Sequence, residues 1–595
     1  MSLSRSTEPA LWGDDEPAPL PVGIGGWTFT LRHDSLCDLR WKQQPVLRAI
    51  RFVARDRDWR TAQPVAIRTD PHLPGEHDFH VHLTYASRRP DEVAEIEVDL
   101  SVECRNDSEL LVSASAVVCR DFLRNRLGLV VLHHIAEAGR PLRVHHPDGS
   151  VSQTRFPRDI APHQPARNVR ALTWNSENLR VSTVFAGDVF EMEDQRNWTD
   201  ASFKTYSTPL AEPFPVQLAQ GARITHTVGV TVEEPVVRER ETAVAAAPAN
   251  VSFHPTAEPV PQFLVGASTS HGATPPGLPS VDVLVEPVLD DANWRAVLMR
   301  AVKDAAGGRL DVRLVTSDPS LLEAALDPIQ ELPVARLGVY DLTTHVSEPP
   351  LWRALVAGAA ARPLLAGVDL VAGARAHFTE LNRTLDRLPD DATAVTFSIT
   401  PQMHDTGRDQ LLESLPLQRL TARQALGPGD RPLHVGPVTL RPRFNAVATS
   451  ARATSTVPHV RDGYGAHFVP GSTDPRQESA GYAAWLVASA AQLALPGVLS
   501  VTFAEAWGPR GLYDQHGTPR PAAEAFARLI GLSGAELLAP KGDLPVNVSV
   551  LAARSRDRVT LMAANVGPRT ELLALDSGHA FSLPACSWRA IELEE

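Results

Sequence analysis

Between about residue 262 and residue 535, short apolar runs alternate with segments of helical periodicity, and this alternation constrains the fold more than any other feature of the chain. The strand-like runs are FLVGAST (263–269), VDVLVEP (281–287), LDVRLVT (310–316), ARLGVYDL (335–342), PLLAGVDL (363–370), AVTFSIT (394–400), LHVGPVTL (433–440) and VLSVTFAE (498–505). Helical stretches such as NWRAVLMRAV (293–302), PSLLEAALD (319–327) and WRALVAGAA (352–360) lie between most of them. Eight strands joined by crossovers over this length predict a (β/α)8 barrel spanning 262–535. The connection at 270–280 is Gly- and Pro-rich and short for a helix, which leaves the first unit of the series incomplete.

The flanks have a different texture. Up to residue 235, runs such as VAEIEVDLSVEC, ELLVSASAVVC, LRVSTVFAGDVFEME and RITHTVGVTVEE alternate in hydropathy or are continuously apolar, with Val, Ile and Thr prominent. They predict an N-terminal antiparallel β-sandwich over 1–235. Residues 236–261, rich in Pro, Ala and charge, read as a linker. The strands NVSVLAAR, RVTLMAANV and SWRAIELEE predict a small C-terminal β domain over 536–595.

Composition removes several classes of function. The net charge of −13 is spread along the chain without a basic block, which argues against a nucleic-acid partner. No stretch reaches the roughly 18 apolar residues of a membrane span, and the first residues lack a signal-peptide run, so a cytoplasmic protein without a membrane partner is expected. Cys37, Cys104, Cys119 and Cys586 are widely spaced and read as free thiols of a reducing compartment. There is no phosphate-binding loop, dinucleotide fingerprint or GxSxG elbow, so neither a nucleotide cofactor nor a serine nucleophile is expected. The pairs His133-His134 and His145-His146 do not make a metal site: neighbours on a strand face opposite ways, and no acid completes a ligand set.

Barrel enzymes carry their reactive groups where strands end at the carboxyl face. After the fifth run come Glu380, Asn382 and Arg383; after the sixth, Gln402, His404 and Asp405; after the seventh, Arg441, Arg443 and Asn445; the eighth ends in Glu505. Glu380 and Glu505 are expected across one mouth, as an acid and a base, with His404 as a further acid/base or oxyanion donor. Arg441 and Arg443, flanking a proline in an extended segment, are expected to share a face and grip a carboxylate or polyol. Each residue has a structural alternative, as an exposed loop residue or the partner of a nearby opposite charge.

A further concentration of charge lies at 191–206, EMEDQRNWTDASFKTY, which packs Glu193, Asp194, Arg196, Trp198, Asp200 and Lys204 into sixteen residues. Such groups must be paired, solvated or bound to something polar. Two readings stand: buried ion pairs that hold the sandwich to the barrel, or a loop that leans over the mouth and contacts substrate.

The chain resembles the D-apionate lactonase family, which acts in bacterial catabolism of the branched sugar apiose. The resemblance is carried by EMEDQRNWTDASFKTY, FTELNR (378–383), FSITPQMHD (397–405), PVTLRPRFN (437–445), DPRQ (474–477) and FAEAWGPRGL (503–512), in order along the whole chain. It implies the same three-part architecture and a carboxylic ester hydrolase that opens a sugar lactone such as D-apionolactone to its aldonate. On that expectation Glu380 activates water, directly or through His404, and Glu505 protonates the leaving ring oxygen. Arg443, His404 and Asn382 steady the oxyanion. The alternative is a retaining glycoside hydrolase using the same two glutamates. A third possibility is a carbohydrate-binding protein on a barrel that has lost its chemistry.

Overall fold

The computed structural model describes residues 11–14, 16–70, 77–86, 95–234, 250–427 and 431–594. Its central element is a closed parallel barrel. The strands are Gln262–Gly266, Val283–Val285, Leu310–Val315, Val334–Tyr340, Asp369–Gly373, Ala394–Ile399, Leu433–Val438 and Val498–Trp507. Each pairs with the next, and the first closes on the eighth with Leu264 opposite Thr502. Every residue of the third, sixth and seventh strands is buried, as expected when helices cover the outside and side chains fill the inside. The first crossover carries no helix.

The fifth strand departs from the expected 363–370. Pro363–Leu365 forms a 3-10 turn and Gly367 turns the chain at φ +86°, so the strand starts at Asp369, which begins it rather than ending it.

Two nine-stranded sheets form the N-terminal sandwich. Along Gln44–Asp56, the strand at the centre of one sheet, Ile50, Phe52 and Ala54 enter the sandwich core, while Ala49, Arg51, Val53 and Arg55 face the other way. Lys204 and Tyr206 belong to that second face through the strand Ser202–Tyr206, which pairs with Phe122–His134, the neighbour of Gln44–Asp56. This cationic face meets the carboxyl end of the barrel. Arg51 reaches Asp405 (3.2 Å), Arg48 pairs with Glu413, and Asn382 Nδ2 donates to Asn197 Oδ1 (3.0 Å). Asn445 Nδ2 donates to the Asp58 carbonyl (2.6 Å), and the Asp58 carboxylate accepts from the backbone N–H groups of Thr449 and Ser450.

The C-terminal sheet is antiparallel, in the order Ser252–Pro259, Glu536–Lys541, Val548–Ser555, Arg558–Asn565, Ser587–Glu594. Its first strand corrects the linker expectation: residues 252–259 are an edge strand of this sheet, paired with Glu536–Lys541, while 236–249 lie outside the described residues. Helix Ala480–Leu493 is apolar around almost its whole circumference because the barrel covers one side and this sheet the other. Trp12, from the amino-terminal segment, is fully buried in the barrel's hydrophobic cluster, against Gly481 of that helix. Among the described residues no helix is long and apolar enough to cross a membrane.

Candidate active site

The barrel mouth has a charged floor. Glu286 directly follows the second strand, and its Oε2 accepts from Arg443 Nη1 and from Arg375 Nη2 (3.4 Å). Arg443 Nη2 also donates to the Arg375 carbonyl (2.6 Å) and to Ser398 Oγ (2.9 Å), tying the loops after strands five and seven to strand six. The Arg375 guanidinium lies 4.0 Å from the centre of the Phe444 ring, and His345, from the loop after strand four, packs on the same ring at 4.9 Å. Burial is opposed here by Arg443, Arg375 and Arg313, which together hold the Glu286 carboxyl below its usual range. His345 and His377 are driven by burial down to about 4 and about 3, and so are neutral.

The sandwich supplies the roof. His404, after the sixth strand, hydrogen-bonds through Nδ1 to Asp200 Oδ2 (2.7 Å). The other Asp200 oxygen accepts from Gln410 Nε2 (2.9 Å). Trp198 stands edge-on to the imidazole at 5.3 Å. Beside them Lys204 and Glu193, opposite one another on adjacent strands, form an ion pair. Burial first, then the Lys204 and Arg55 charges, hold His404 well below the ordinary histidine range. Burial raises Asp200 to about 7 against Arg51, Arg48 and Lys204, which lower it. A carboxylate accepting from Nδ1 fixes the tautomer of a neutral imidazole, leaving Nε2 without a hydrogen.

The 191–206 segment divides between the sandwich interior and the surroundings of His404. Asp194 and Arg196 form a fully buried pair (2.7 Å), and Arg196 also donates to the carbonyls of Pro157, Arg158 and Asp159, so these two build the sandwich. Asn197 binds the barrel seam. Glu193, Trp198, Asp200 and Lys204 surround His404.

Glu505 and Glu380, expected as an opposed acid and base, are each held by protein partners. Glu505 is buried, ion-paired with Arg510 (2.8 Å), and accepts from Thr269 N (3.0 Å) and Oγ1 (2.9 Å). Its Oε1 thus accepts two hydrogen bonds and its Oε2 one. Glu380 lies on the short helix Phe378–Asn382, and its Oε2 turns back to accept from His377 N (2.9 Å). Burial raises its carboxyl to about 7. No hydrogen bond or ion pair joins the two. Asn382 donates to the Ile160 carbonyl and to Asn197, Asn445 to the Asp58 carbonyl, and the exposed Arg383 to the Pro162 carbonyl. All three therefore serve the seam between sandwich and barrel. Arg441 pairs with Asp474 (2.7 Å) while Arg443 goes to Glu286. The two arginines part because 439–450 forms turns, where strand alternation does not apply.

Sequence reasoning missed Glu286, Arg375, His345 and His377, and named Asp200 without a partner. Glu286 ends the apolar run VLVEP just as Glu505 ends VTFAE, so the same rule applied evenly would have found it.

Two family models match the chain: D-apionate lactonase, N-terminal domain, over residues 8–235, and D-apionate lactonase, TIM barrel domain, over 340–534. A curated relative, the D-apionate lactonase of Brucella anthropi, is 27% identical over 564 residues, covering 88% of this chain and 89% of its own. Among solved structures, a β-arabinopyranosidase is 10% identical with a TM-score of 0.29, covering 96% of this chain and 97% of its own. A GH30 endoxylanase from Clostridium papyrosolvens is 9% identical with a TM-score of 0.37, covering 58% and 100%.

Proposed function

This chain belongs to the D-apionate lactonase family, and from that premise we propose that it hydrolyses the ring ester of a small aldonolactone, D-apionolactone being the first substrate to try. The observation that carries the chemistry is the His404–Asp200 dyad. His404 Nε2 takes a proton from water as the water oxygen bonds to the lactone carbonyl carbon. Lys204, the largest charge acting on His404, spends one of its three N–H groups on Glu193 and keeps the others for the tetrahedral oxyanion. The bond to the ring oxygen then breaks, and His404 returns its proton to the departing alkoxide. The product is the open aldonate.

In this reading Glu505 and Glu380 position loops rather than transfer protons. A retaining glycosidase needs one protonated carboxyl facing one free carboxylate. Glu505 and Glu286 are each matched by arginine, which favours lactone opening over glycoside cleavage.

The test is a panel of aldonolactones and aryl glycosides followed by proton release, or chromophore release, against an uncatalysed blank. Lactone turnover by the wild type and a loss of about 100-fold or more in His404→Asn are expected. Wild-type kcat in His404→Asn would remove the dyad from the mechanism. Turnover of glycosides alone would replace the lactonase reading.

A further inference from the structure

Away from the mouth, a cavity of about 240 Å3 opens where the C-terminal sheet docks on the barrel. Arg419 reaches it from the second half of helix Arg408–Leu426, Gln492 from the last turn of helix Ala480–Leu493, and Pro496 from the turn leading into the eighth strand. Thr256, Leu537 and Ser549 close it from three neighbouring strands of the sheet. These positions put the cavity at the amino end of the cylinder, whereas His404 follows the carboxyl end of the sixth strand. It is therefore a different place from the proposed active site.

Among the described residues, Arg419 is the one ionisable group that lines this cavity. Arg196, Arg313 and Arg476 each face an aspartate where they are buried. The half-buried Arg419 side chain has neither an ion pair nor a hydrogen bond to any described residue, and the charge acting on it is a second cation, Arg423, one helical turn on. Burial first, and that neighbour second, push Arg419 down to about 10, so it stays charged in a place that favours an anion. Two further donors stand on the lining. Gln492 Nε2 spends one N–H on Ser549 Oγ (3.2 Å), which leaves its second N–H and the Ser549 hydroxyl hydrogen unspent. The Thr256 hydroxyl is already given to the Leu537 carbonyl (2.8 Å). The rest of the wall is apolar, with Leu537, Leu544 and Leu551 prominent.

A planar guanidinium fork with no facing acid matches a carboxylate, both of whose oxygens it can receive together. The second charge of a phosphate would meet no second cation on the wall. Water answers the guanidinium but leaves the leucines wet, whereas an acid with an apolar body satisfies both. The volume lies below the roughly 300–1,000 Å3 of sites for drug-sized ligands, so the occupant is small. We propose that this cavity is a second binding site, separate from the mouth, for a small monocarboxylate with an apolar body, its carboxylate held by Arg419, Gln492 and Ser549. Such an acid bridges two barrel helices and the C-terminal sheet. It fastens that domain to the barrel and stabilises the fold as its concentration rises above Kd.

Titration calorimetry on the full chain tests this, with benzoate and isovalerate as probes and benzamide and inorganic phosphate as controls. Saturable binding of at least one acid, one per chain, is expected, together with a melting temperature that rises with its concentration. Benzamide keeps the ring and loses the charge, and is expected to bind at least about tenfold more weakly than benzoate. Arg419→Gln is expected to weaken the acid by at least about tenfold, while His404→Asn leaves its affinity unchanged, which separates the cavity from the mouth. The readout requires no lactone turnover, so it stands or falls apart from the lactonase reading. No saturable heat from either acid up to about 10 mM overturns the proposal. Equal affinity for benzamide, tighter binding of phosphate than of the acids, or unaltered binding in Arg419→Gln does the same. Should Arg419→Gln fail to fold, Gln492→Leu carries the test from the neighbouring helix, with a several-fold loss expected and unchanged affinity counting against the site.

Discussion

At the scale of single residues, the proton shared between Asp200 and His404 decides whether the base exists. With Asp200 ionised, His404 donates Nδ1–H to it and leaves Nε2 free. With Asp200 protonated, the carboxyl donates to Nδ1, the hydrogen moves to Nε2, and the ring can no longer take a proton. Burial raises Asp200 to about 7, so kcat is expected to climb with pH through that value and flatten above it. Asp200→Asn removes the titration and fixes the wrong tautomer through its amide N–H. Its predicted profile is flat and at least about 100-fold lower. A step near pH 7 surviving in Asp200→Asn would show that another group titrates. The linkage to stability has the opposite sense from an ordinary ion-paired aspartate. Because the folded value lies above the unfolded 3.8, the favourable contribution is complete below pH 3.8 and is lost as pH rises through about 7. Glu505 offers a contrasting prediction. Glu505→Gln leaves Arg510 buried without its counter-charge and should cost about 3–5 kcal/mol in denaturant unfolding, while kcat of the folded fraction stays within a few-fold of wild type. A 100-fold fall in that kcat would restore Glu505 to the chemistry.

At the scale of elements, the loops after strands five, six and seven hold the site, and the sandwich holds the loops. Asp58 shows this most clearly, since it gathers the backbone N–H groups of Thr449 and Ser450, with the Ser450 hydroxyl, in the same loop that carries Arg443 and Phe444. Removing those charge-assisted bonds in Asp58→Ala is expected to cost about 1.5–3 kcal/mol and to raise KM several-fold, with kcat changed less. An unchanged KM would mean that the loop keeps its place unaided. The barrel strands were legible from their spacing and their runs of Val, Leu and Ile, because parallel strands buried on both faces need such runs. The fifth was misjudged for a local reason. PLLAG is apolar enough for a strand, but Pro363 starts a 3-10 turn and Gly367 takes a left-handed conformation, so the pairing backbone begins later. The edge strand Ser252–Pro259 was hidden by Pro255 and Pro259, which suit only an edge, where the missing N–H faces outward.

At the scale of the whole molecule, neither the sandwich nor the barrel contains the proposed site alone. Asp200 and Lys204 come from one and His404 and Glu286 from the other, with sequence separations of 204 residues for Asp200–His404 and 157 for Glu286–Arg443. That distance is why the constellation could not be read from the sequence even though most of its members drew attention. Periodicity reports which face of an element is buried, whereas partnership across domains is settled by packing. The 191–206 segment was legible as a place where charge must be satisfied, but not in how it divides between the sandwich interior and the roof of the mouth. A fragment spanning 250–595 is therefore expected to lose at least about 1,000-fold in lactone turnover even where it folds, since it lacks the orienting carboxylate and Lys204. Full activity in that fragment would place the chemistry on the barrel alone.

The seat of Trp12 beside Gly481 sets an order of events during synthesis. The helix that receives the indole is made more than 450 residues after it. Until that helix is made, this apolar ring lacks the seat it occupies in the folded chain. A chain cut short before residue 480 is therefore expected to leave the indole uncovered and to be held by chaperones rather than released.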